Sequence, residues 1–179
     1  MKWQWWTRPA AAVMLAMFMA VAIGPEPAYA AESQESRTTG PVTGLPMPRF
    51  VSLKSGEGNA RRGPGMTHRV DWVFRRRGMP LRVTAEFEHW RRVEDAEGFG
   101  GWMHHSLLSG VRTVLVVDDM TALRLQADER APVTAWLEAG VVARVLSCGP
   151  EWCRLDAERL RGWAPRAALW GVDAAETLD

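Results

Sequence analysis

The two cysteines of the chain, Cys148 and Cys153, are separated by the four residues GPEW. A redox-active pair has two intervening residues, and a zinc site needs further Cys or His ligands nearby, which this segment does not offer. A Gly-Pro turn between two apolar stretches instead brings both Cα atoms within reach of a disulfide. We therefore expect a structural Cys148–Cys153 bond, which stabilises by about 2 kcal/mol through its short loop.

The four histidines do not form a pattern that predicts catalysis or metal binding. His68 and His89 fall in predicted loops, and the neighbours His104 and His105 would face opposite sides of a strand. General acid–base and nucleophilic catalysis need partners within hydrogen-bond reach, and a metal needs ligands that converge. The sequence therefore predicts no catalytic residue, no bound metal and no cofactor.

Tryptophan is the residue type through which this chain could bind a ligand. Trp102 and Trp163, which each follow a glycine, are expected in the core. Trp90 precedes Val93 by three positions, so the two residues face opposite sides of a regular strand, and the same spacing recurs for Trp152. If Val93 is a core residue, Trp90 and Trp152 turn outward.

Planar indole surface suits sugars and extended peptides, and nearby arginines can pair with carboxylates. We therefore predict a ligand-binding surface formed by Trp90, Trp152, Arg61, Arg62 and Arg91. The alternative is that these indoles cover the edge of a core or the contact between two parts of the chain.

A unit of roughly 60 residues occurs twice, which indicates two small look-alike modules. Four positions of the first copy, Gly78, Val83, Trp90 and Val93, precede their counterparts by 62 residues, namely Gly140, Val145, Trp152 and Leu155. After a one-residue deletion the offset becomes 61, as for Gly101-Trp102 and Gly162-Trp163.

Short alternating segments fill each unit. Residues 50–54 and 81–86 alternate apolar and polar side chains, and glycine-rich turns separate the segments. Many short strands without a helical period are typical of small β-barrels. The fold class is therefore predicted to be all-β, with two barrels in tandem.

The spacing of the cysteines predicts the register of a hairpin. Placing Cys148 opposite Cys153 puts Leu146 opposite Leu155 and leaves Val145 on the other face. Since Val145 has the character of a core residue, a β-bulge is expected there.

The repeat also superimposes Cys148 on Glu86 and Cys153 on Arg91. We therefore expect opposite charges to face each other in the first unit where the second unit has its disulfide.

The first thirty residues have the form of a secretory signal peptide. Lys2 and Arg8 precede the uncharged run 10–24, and the small-x-small sequence AYA ends at Ala30, so cleavage is expected before Ala31. The alternative is a retained anchor, but this run is shorter than the roughly 20 residues that span a bilayer. The sequence thus predicts an exported protein, periplasmic or secreted, without stable membrane insertion after cleavage.

The charge balance bears on the class of partner. The chain has 22 basic and 21 acidic residues, a net charge of +1 at pH 7. Removal of residues 1–30 leaves a formally neutral protein, which argues against a nucleic-acid partner.

The predicted organisation has five segments. Residues 1–30 are the signal peptide, and residues 31–48 are a disordered or extended leader rich in Ser, Thr, Gly and Pro. Residues 49–112 and 113–173 are the first and second barrel, and 174–179 are a tail.

Several segments together resemble the bacterial SH3-like family, in its exported two-module branch common in alphaproteobacteria. The segments are VDWVFRRRG, EFEHWRRV, FGGWMHHSLLSG, SCGPEWCRL and RGWAPRAALWG, preceded by GLPMPRFVSLK at residues 44–54. The resemblance implies two five- or six-stranded SH3-like barrels without a catalytic centre. It also implies binding of peptidoglycan or its peptides, as in relatives attached to cell-wall enzymes.

We therefore expect a non-enzymatic exported protein whose tandem domains recognise cell-envelope material, either a cell-wall peptide or glycan or an extended, proline-rich peptide. The alternative function is a structural or regulatory partner that docks onto an envelope protein, such as a cell-wall enzyme, without binding glycan. Sedimentation with insoluble peptidoglycan distinguishes the two.

The export prediction is tested by the mass of the protein recovered from the envelope compartment. The expected mass is that of a chain that starts at Ala31. An intact Met1 in the membrane fraction would contradict it.

Overall fold

The computed structural model describes residues 38–173 and 176–179. The predicted signal peptide, its cleavage site between Ala30 and Ala31, and residues 31–37 of the leader lie outside the described residues. Within the described ranges, no helix is long and apolar enough to cross a membrane.

Two short strands, β1 (Thr38–Thr39) and β2 (Pro46–Met47), pair antiparallel ahead of the first barrel. Residues 38–47 therefore form a small hairpin. Of the predicted disordered or extended leader, the disordered alternative is wrong for this part of the chain, while the strand at Pro46–Met47 is extended. Met47 at the end of this hairpin is buried. The physical reason is a long-range contact with Glu86, described below, which local composition does not reveal.

Each unit folds into a curled antiparallel sheet of seven strands. The strands of the first sheet are β3 (Arg49–Leu53), β4 (Gly58–Arg61), β5 (Val70–Phe74), β6 (Pro80–Phe87), β7 (Trp90–Glu94), β8 (Gly100–His104) and β9 (Leu108–Ser109). Those of the second are β10 (Thr113–Val116), β11 (Thr121–Arg124), β12 (Val133–Leu137), β13 (Val142–Cys148), β14 (Trp152–Ala157), β15 (Leu160–Pro165) and β16 (Leu169–Trp170).

The two sheets have the same topology. The spatial order is β5-β4-β8-β7-β6-β3-β9 in the first and β12-β11-β15-β14-β13-β10-β16 in the second, strand for strand equivalent. A 3₁₀ turn precedes the last strand of each sheet, at His105–Leu107 and Arg166–Ala168. The predicted all-β fold of two tandem SH3-like barrels is therefore confirmed.

Each barrel closes on its own apolar core. The alternation of strand residues places one side chain in two inside. The first core consists of Leu53, Ala60, Phe74, Leu81, Val83, Val93 and Met103. Members of the second include Val114, Val116, Leu123, Leu137, Val145, Leu155 and Ala164, together with both cysteines.

The long central hairpin of the second barrel has the predicted register. Cys148 pairs with Cys153, and their Cα atoms are 4.1 Å apart in a disulfide. The register shifts between Val145 and Ser147, so Val145 pairs with Leu155 and points into the core. The predicted bulge and the predicted disulfide are both confirmed.

The first barrel places opposite charges at the equivalent position. Glu86 pairs with Arg91 across β6 and β7, and the Arg91 Nε lies 3.4 Å from the Glu86 Oε1. The predicted Glu86–Arg91 pair is confirmed. However, the pair lies inside the barrel end and not on its surface, since the Glu86 side chain has no exposed area.

The leader hairpin surrounds the buried Glu86 carboxylate. The backbone N–H groups of Val42 and Thr43 donate to Oε2 at 3.1 and 2.9 Å, and the Thr43 hydroxyl donates to Oε1 at 2.6 Å. Arg49 donates to Oε1 at 2.7 Å. A Cβ atom at Gly40 would lie 2.5 Å from the same carboxylate, so this loop needs glycine there.

These hydrogen bonds outweigh the effect of burial on the pKa of Glu86. Burial alone would raise the pKa of Glu86, but the bonds from Thr43, Arg49 and Val42 lower that pKa to about 2. Glu86 therefore stays ionised and holds the leader on the first barrel.

The residues after β16 pack back onto the second barrel. Leu178 forms an antiparallel bridge with Cys148, in which the Cys148 N–H donates at 2.7 Å and the Leu178 N–H at 3.0 Å. Leu178 also packs against the second core. Residues 176–179 are thus an ordered part of the barrel end.

The two barrels contact each other directly. Phe50 of the first barrel packs edge-on against Trp170 of the second, with ring centroids 5.0 Å apart. The Arg112 guanidinium lies 5.9 Å from the centre of the Phe50 ring, and the Thr113 hydroxyl donates to the carbonyl of Gly78 at 2.6 Å. Side chains of the two barrels therefore pack against each other where the barrels are joined.

Reduction of the Cys148–Cys153 bond should destabilise the second barrel by about 2 kcal/mol, because it releases a short closed loop in the unfolded chain. Hydrogen exchange with and without reductant measures each barrel separately. The first barrel serves as the internal control, and an equal loss of protection in both barrels would contradict the prediction.

Acid should loosen the first barrel around Glu86. Because folding lowers the pKa of Glu86 from 4.5 to about 2, its contribution to stability is complete above pH 4.5 and is lost as the pH falls towards 2.

In the variant Glu86→Gln this acid-dependent loss should largely disappear. Its free energy of unfolding at pH 7 should fall by about 3 kcal/mol, since Arg91 loses its buried partner. The exposed Glu88→Gln is the matched control. An unchanged acid transition in Glu86→Gln would rule out this carboxylate as its origin.

Candidate ligand-binding site

The structure does not bring the five predicted ligand-binding residues together. Trp90 faces away from the core side of β7, as predicted, but only 8% of its surface is exposed. Its cross-strand partner His104 packs edge-on against it, with ring centroids 5.6 Å apart. The prediction of Trp90 as open binding surface is therefore wrong, because a neighbouring strand covers its indole.

Arg91 is also unavailable to a ligand. Its guanidinium is buried beside Glu86, and it donates to the carbonyls of Glu88 and Trp90 at 2.9 and 2.8 Å. The prediction of Arg91 as a ligand contact is wrong, since its strand parity places it inside the barrel end.

Arg61 is the last residue of β4, and Arg62 is the first residue of the long loop that follows. Arg62 is exposed and forms an ion pair with Asp71 at 3.1 Å. The Arg69 hydrogen bond, assisted by Arg62, holds the pKa of Asp71 below its usual range. Arg61 is half-buried, donates to the carbonyl of His68 at 2.7 Å, and pairs across strands with Trp102.

Trp152 lies in an apolar groove on the second barrel. The groove has a volume of about 540 Å³, and we call it the indole groove. Its lining is formed by Ala127, Ser147, Cys148, Gly149, Pro150, Glu151, Trp152, Trp163, Thr177, Leu178 and Asp179. Two half-buried indoles, a proline and the disulfide thus share one cleft, and Glu151 and Asp179 add carboxylates to it.

Trp163 was expected in the core, and that prediction is wrong. The core position is the next residue, Ala164, which is fully buried, while Trp163 is half-buried on the outer face of β15. Trp102 and Met103 show the same arrangement in the first barrel, with Met103 fully buried. Strand alternation could have predicted this arrangement from the sequence. Neighbouring residues of a strand face opposite sides of the sheet, so Trp163 and Ala164 do not both point into the core.

The strand pairing explains why the indoles of the second barrel share a face. Trp152 pairs with Pro165, Arg154 with Trp163, and Trp163 also with Arg124. Side chains that pair directly across strands lie on the same side of a sheet. Two arginines, neither of them singled out from the sequence, therefore flank the tryptophans of this face.

The first barrel has the equivalent set of side chains. Trp90 pairs with His104, Arg92 with Trp102, and Trp102 also with Arg61. Of the predicted residues, Arg61 and Trp90 therefore belong to one outer face, and Trp152 belongs to its counterpart in the second barrel.

Three histidines gather beside Trp90. The ring centroids of His89, His104 and His105 lie between 4.8 and 5.9 Å apart. Burial lowers the pKa of His105, and the charges of His104, Arg91 and His89 lower it further. No group of three or more metal-ligating side chains in the described ranges is arranged to hold a metal ion.

The comparisons with known proteins place this geometry in a family. The family model described as "Bacterial SH3 domain" matches residues 54–110 and 117–171, one copy in each barrel. None of the curated proteins compared with the chain matches it.

Solved structures that match part of the chain include NlpC2 and NlpC1 from Trichomonas vaginalis. They are 12% and 11% identical to the chain, with TM-scores of 0.33 and 0.32. The match covers 72% of this chain in both cases, but 51% and 49% of those proteins, so the chain spans about half their length. Because the family model matches most of both barrels, the chain belongs to the bacterial SH3 domain family.

Proposed function

We propose that the chain is a non-catalytic, exported binding protein whose tandem bacterial SH3 domains recognise cell-envelope material. The ligand class is peptidoglycan or its peptides, or another extended peptide. The observation that supports this proposal is the indole groove, in which Trp152 and Trp163 line one open apolar cleft.

The chemistry of the groove suits a chain-like ligand. Indole faces provide broad contact area for sugar rings and for extended peptide backbone at a small cost in conformational entropy. The turn at Gly149 and Pro150 forms part of the lining, and the carboxylates of Glu151 and Asp179 add polar groups. A ligand therefore meets apolar surface along its length and polar groups at the rim.

Charge favours an acidic ligand on the face next to the groove. Arg154 is exposed and Arg124 is half-buried, and both pair across strands with Trp163. Guanidinium groups beside an aromatic surface can bind the carboxylates of wall peptides. Glu151 and Asp179 lie at the groove itself, so the sign of the charge changes along the surface.

A second candidate function is docking onto an envelope enzyme without contact to glycan. The observation in its favour is an exposed aromatic pair on the first barrel, Trp72 and Phe99, whose rings stack 4.7 Å apart. Exposed aromatic pairs of this kind are frequent at protein–protein contacts.

Sedimentation with purified insoluble peptidoglycan tests the proposal. The wild-type protein should appear in the pellet, and Trp152→Ala and Trp163→Ala should each weaken retention at least tenfold, as for an aromatic residue at the centre of an interface. Trp136→Ala, on an exposed indole of β12 outside the groove, is the matched control and should bind like wild type.

Folding of each variant is checked by circular dichroism and by the thermal midpoint. Retention that is lost in Trp72→Ala and kept in both groove variants would move the ligand site to the first barrel. A wild-type protein that stays in the supernatant and co-purifies with one envelope enzyme would support the docking function instead.

A further inference from the structure

We infer that residues 176–179 occupy the free edge of β13 beside the indole groove, as an internal substitute for a peptide ligand. The inference rests on the proposed function and specifies the ligand class. This edge accepts an extended peptide that runs antiparallel to the end of β13 and carries a carboxylate two residues before an aliphatic side chain. The segment Glu176-Thr177-Leu178-Asp179 shows both features.

The backbone of β13 offers an open edge at this place. Strand β10 pairs with residues 142–144 of β13, and the Val145 N–H donates to the carbonyl of Arg112. Beyond that point Cys148 uses its N–H and carbonyl for Leu178, at 2.7 and 3.0 Å. An extended chain added to a free strand edge is a general mode of peptide recognition. The internal segment therefore demonstrates the geometry that an external peptide would adopt.

Two side chains of the segment make the contacts that would define specificity. Leu178 packs against the second core beside the disulfide and forms part of the groove wall. The Glu176 carboxylate accepts from both terminal nitrogens of Arg112, with Nη2 2.8 Å from Oε2. Burial would raise the pKa of Glu176, but the Arg112 hydrogen bond and charge lower it, so this carboxylate stays ionised.

Residues 176–179 are held on the second barrel by a small set of contacts. Cys148 and Leu178 exchange two backbone hydrogen bonds, Arg112 donates two hydrogen bonds to the Glu176 carboxylate, and Leu178 packs against the core. A tethered ligand of this kind acts at an effective concentration in the millimolar range, so an external peptide has to compete with it.

The experiment compares the full chain with a chain that ends at Asp173. The probe is a fluorescently labelled peptide with the sequence DAAETLD, which corresponds to residues 173–179. Fluorescence anisotropy should show binding to the shortened chain and at least tenfold weaker binding to the full chain. Peptides with Gln in place of the glutamate, or Ser in place of the leucine, should bind the shortened chain at least tenfold more weakly.

Because Leu178 packs against the core, the shortened chain could lose its fold. The full-length variant Leu178→Ser then provides the same test, with Leu160→Ser, at an exposed leucine of β15, as matched control. Leu178→Ser should bind the labelled peptide at least tenfold more tightly than wild type or Leu160→Ser. Two results would overturn the inference. One is equal binding of the labelled peptide by all chains. The other is that neither the folded shortened chain nor Leu178→Ser binds the peptide.

The two proposals can fail separately. Peptide binding without retention on peptidoglycan would leave the inference intact and contradict the wall ligand. Retention on peptidoglycan that depends on Trp152 but is unchanged by removal of residues 174–179, with no peptide binding, would support the proposed function and contradict the inference.

Discussion

The cross-strand pair near the tip of the central hairpin is the constraint on which the rest of each barrel depends. In the second barrel this pair is the Cys148–Cys153 disulfide, and in the first it is Glu86–Arg91. Since side chains alternate along a strand, fixing this pair on the inner face decides which residues become core and which face outward. A bulge in β6 and in β13 then brings Val83 and Val145 back to the core side. The indoles face outward as a consequence of the same register.

The chemistry of that pair determines how the end of each barrel is covered. A buried carboxylate is costly unless its oxygen atoms are hydrogen-bonded, so Glu86 requires donors that its own barrel does not supply in full. The leader loop provides the remaining donors, in addition to Arg49 of β3. A disulfide makes no such demand, and at the end of the second barrel Leu178 packs directly against the core beside it. The covalent pair therefore leaves its barrel end closed by a few contacts, while the ionic pair requires an extensive polar cover.

Much of the architecture could be predicted from the alignment of the two repeats and from the alternation of side chains along each strand. The disulfide, the bulge at Val145 and the pairing of Glu86 with Arg91 follow from spacing, because they depend on contacts within one hairpin. The fold class follows from the many short alternating segments of both repeats. The errors concern contacts between distant segments. Burial of Trp90 beside His104 and enclosure of Glu86 by residues 40–44 come from other segments of the chain, which local patterns do not encode. The error at Trp163 is different, since strand parity relative to Ala164 could have corrected it, but a glycine–tryptophan pair was taken as a sign of burial.

Duplication gave the two barrels equivalent outer faces, but the faces are not equally accessible. In the first barrel His104 packs on Trp90, whereas in the second barrel Pro165 stands at the position of His104 and Trp152 lines a groove. On the proposed function, the tandem therefore has one well-formed site and not two. The contact between Phe50 and Trp170 then gives the first barrel a supporting role, because it packs against the last strand of the barrel that binds. A tandem of this kind gains affinity from a rigid, preorganised groove and not from avidity between two equal sites.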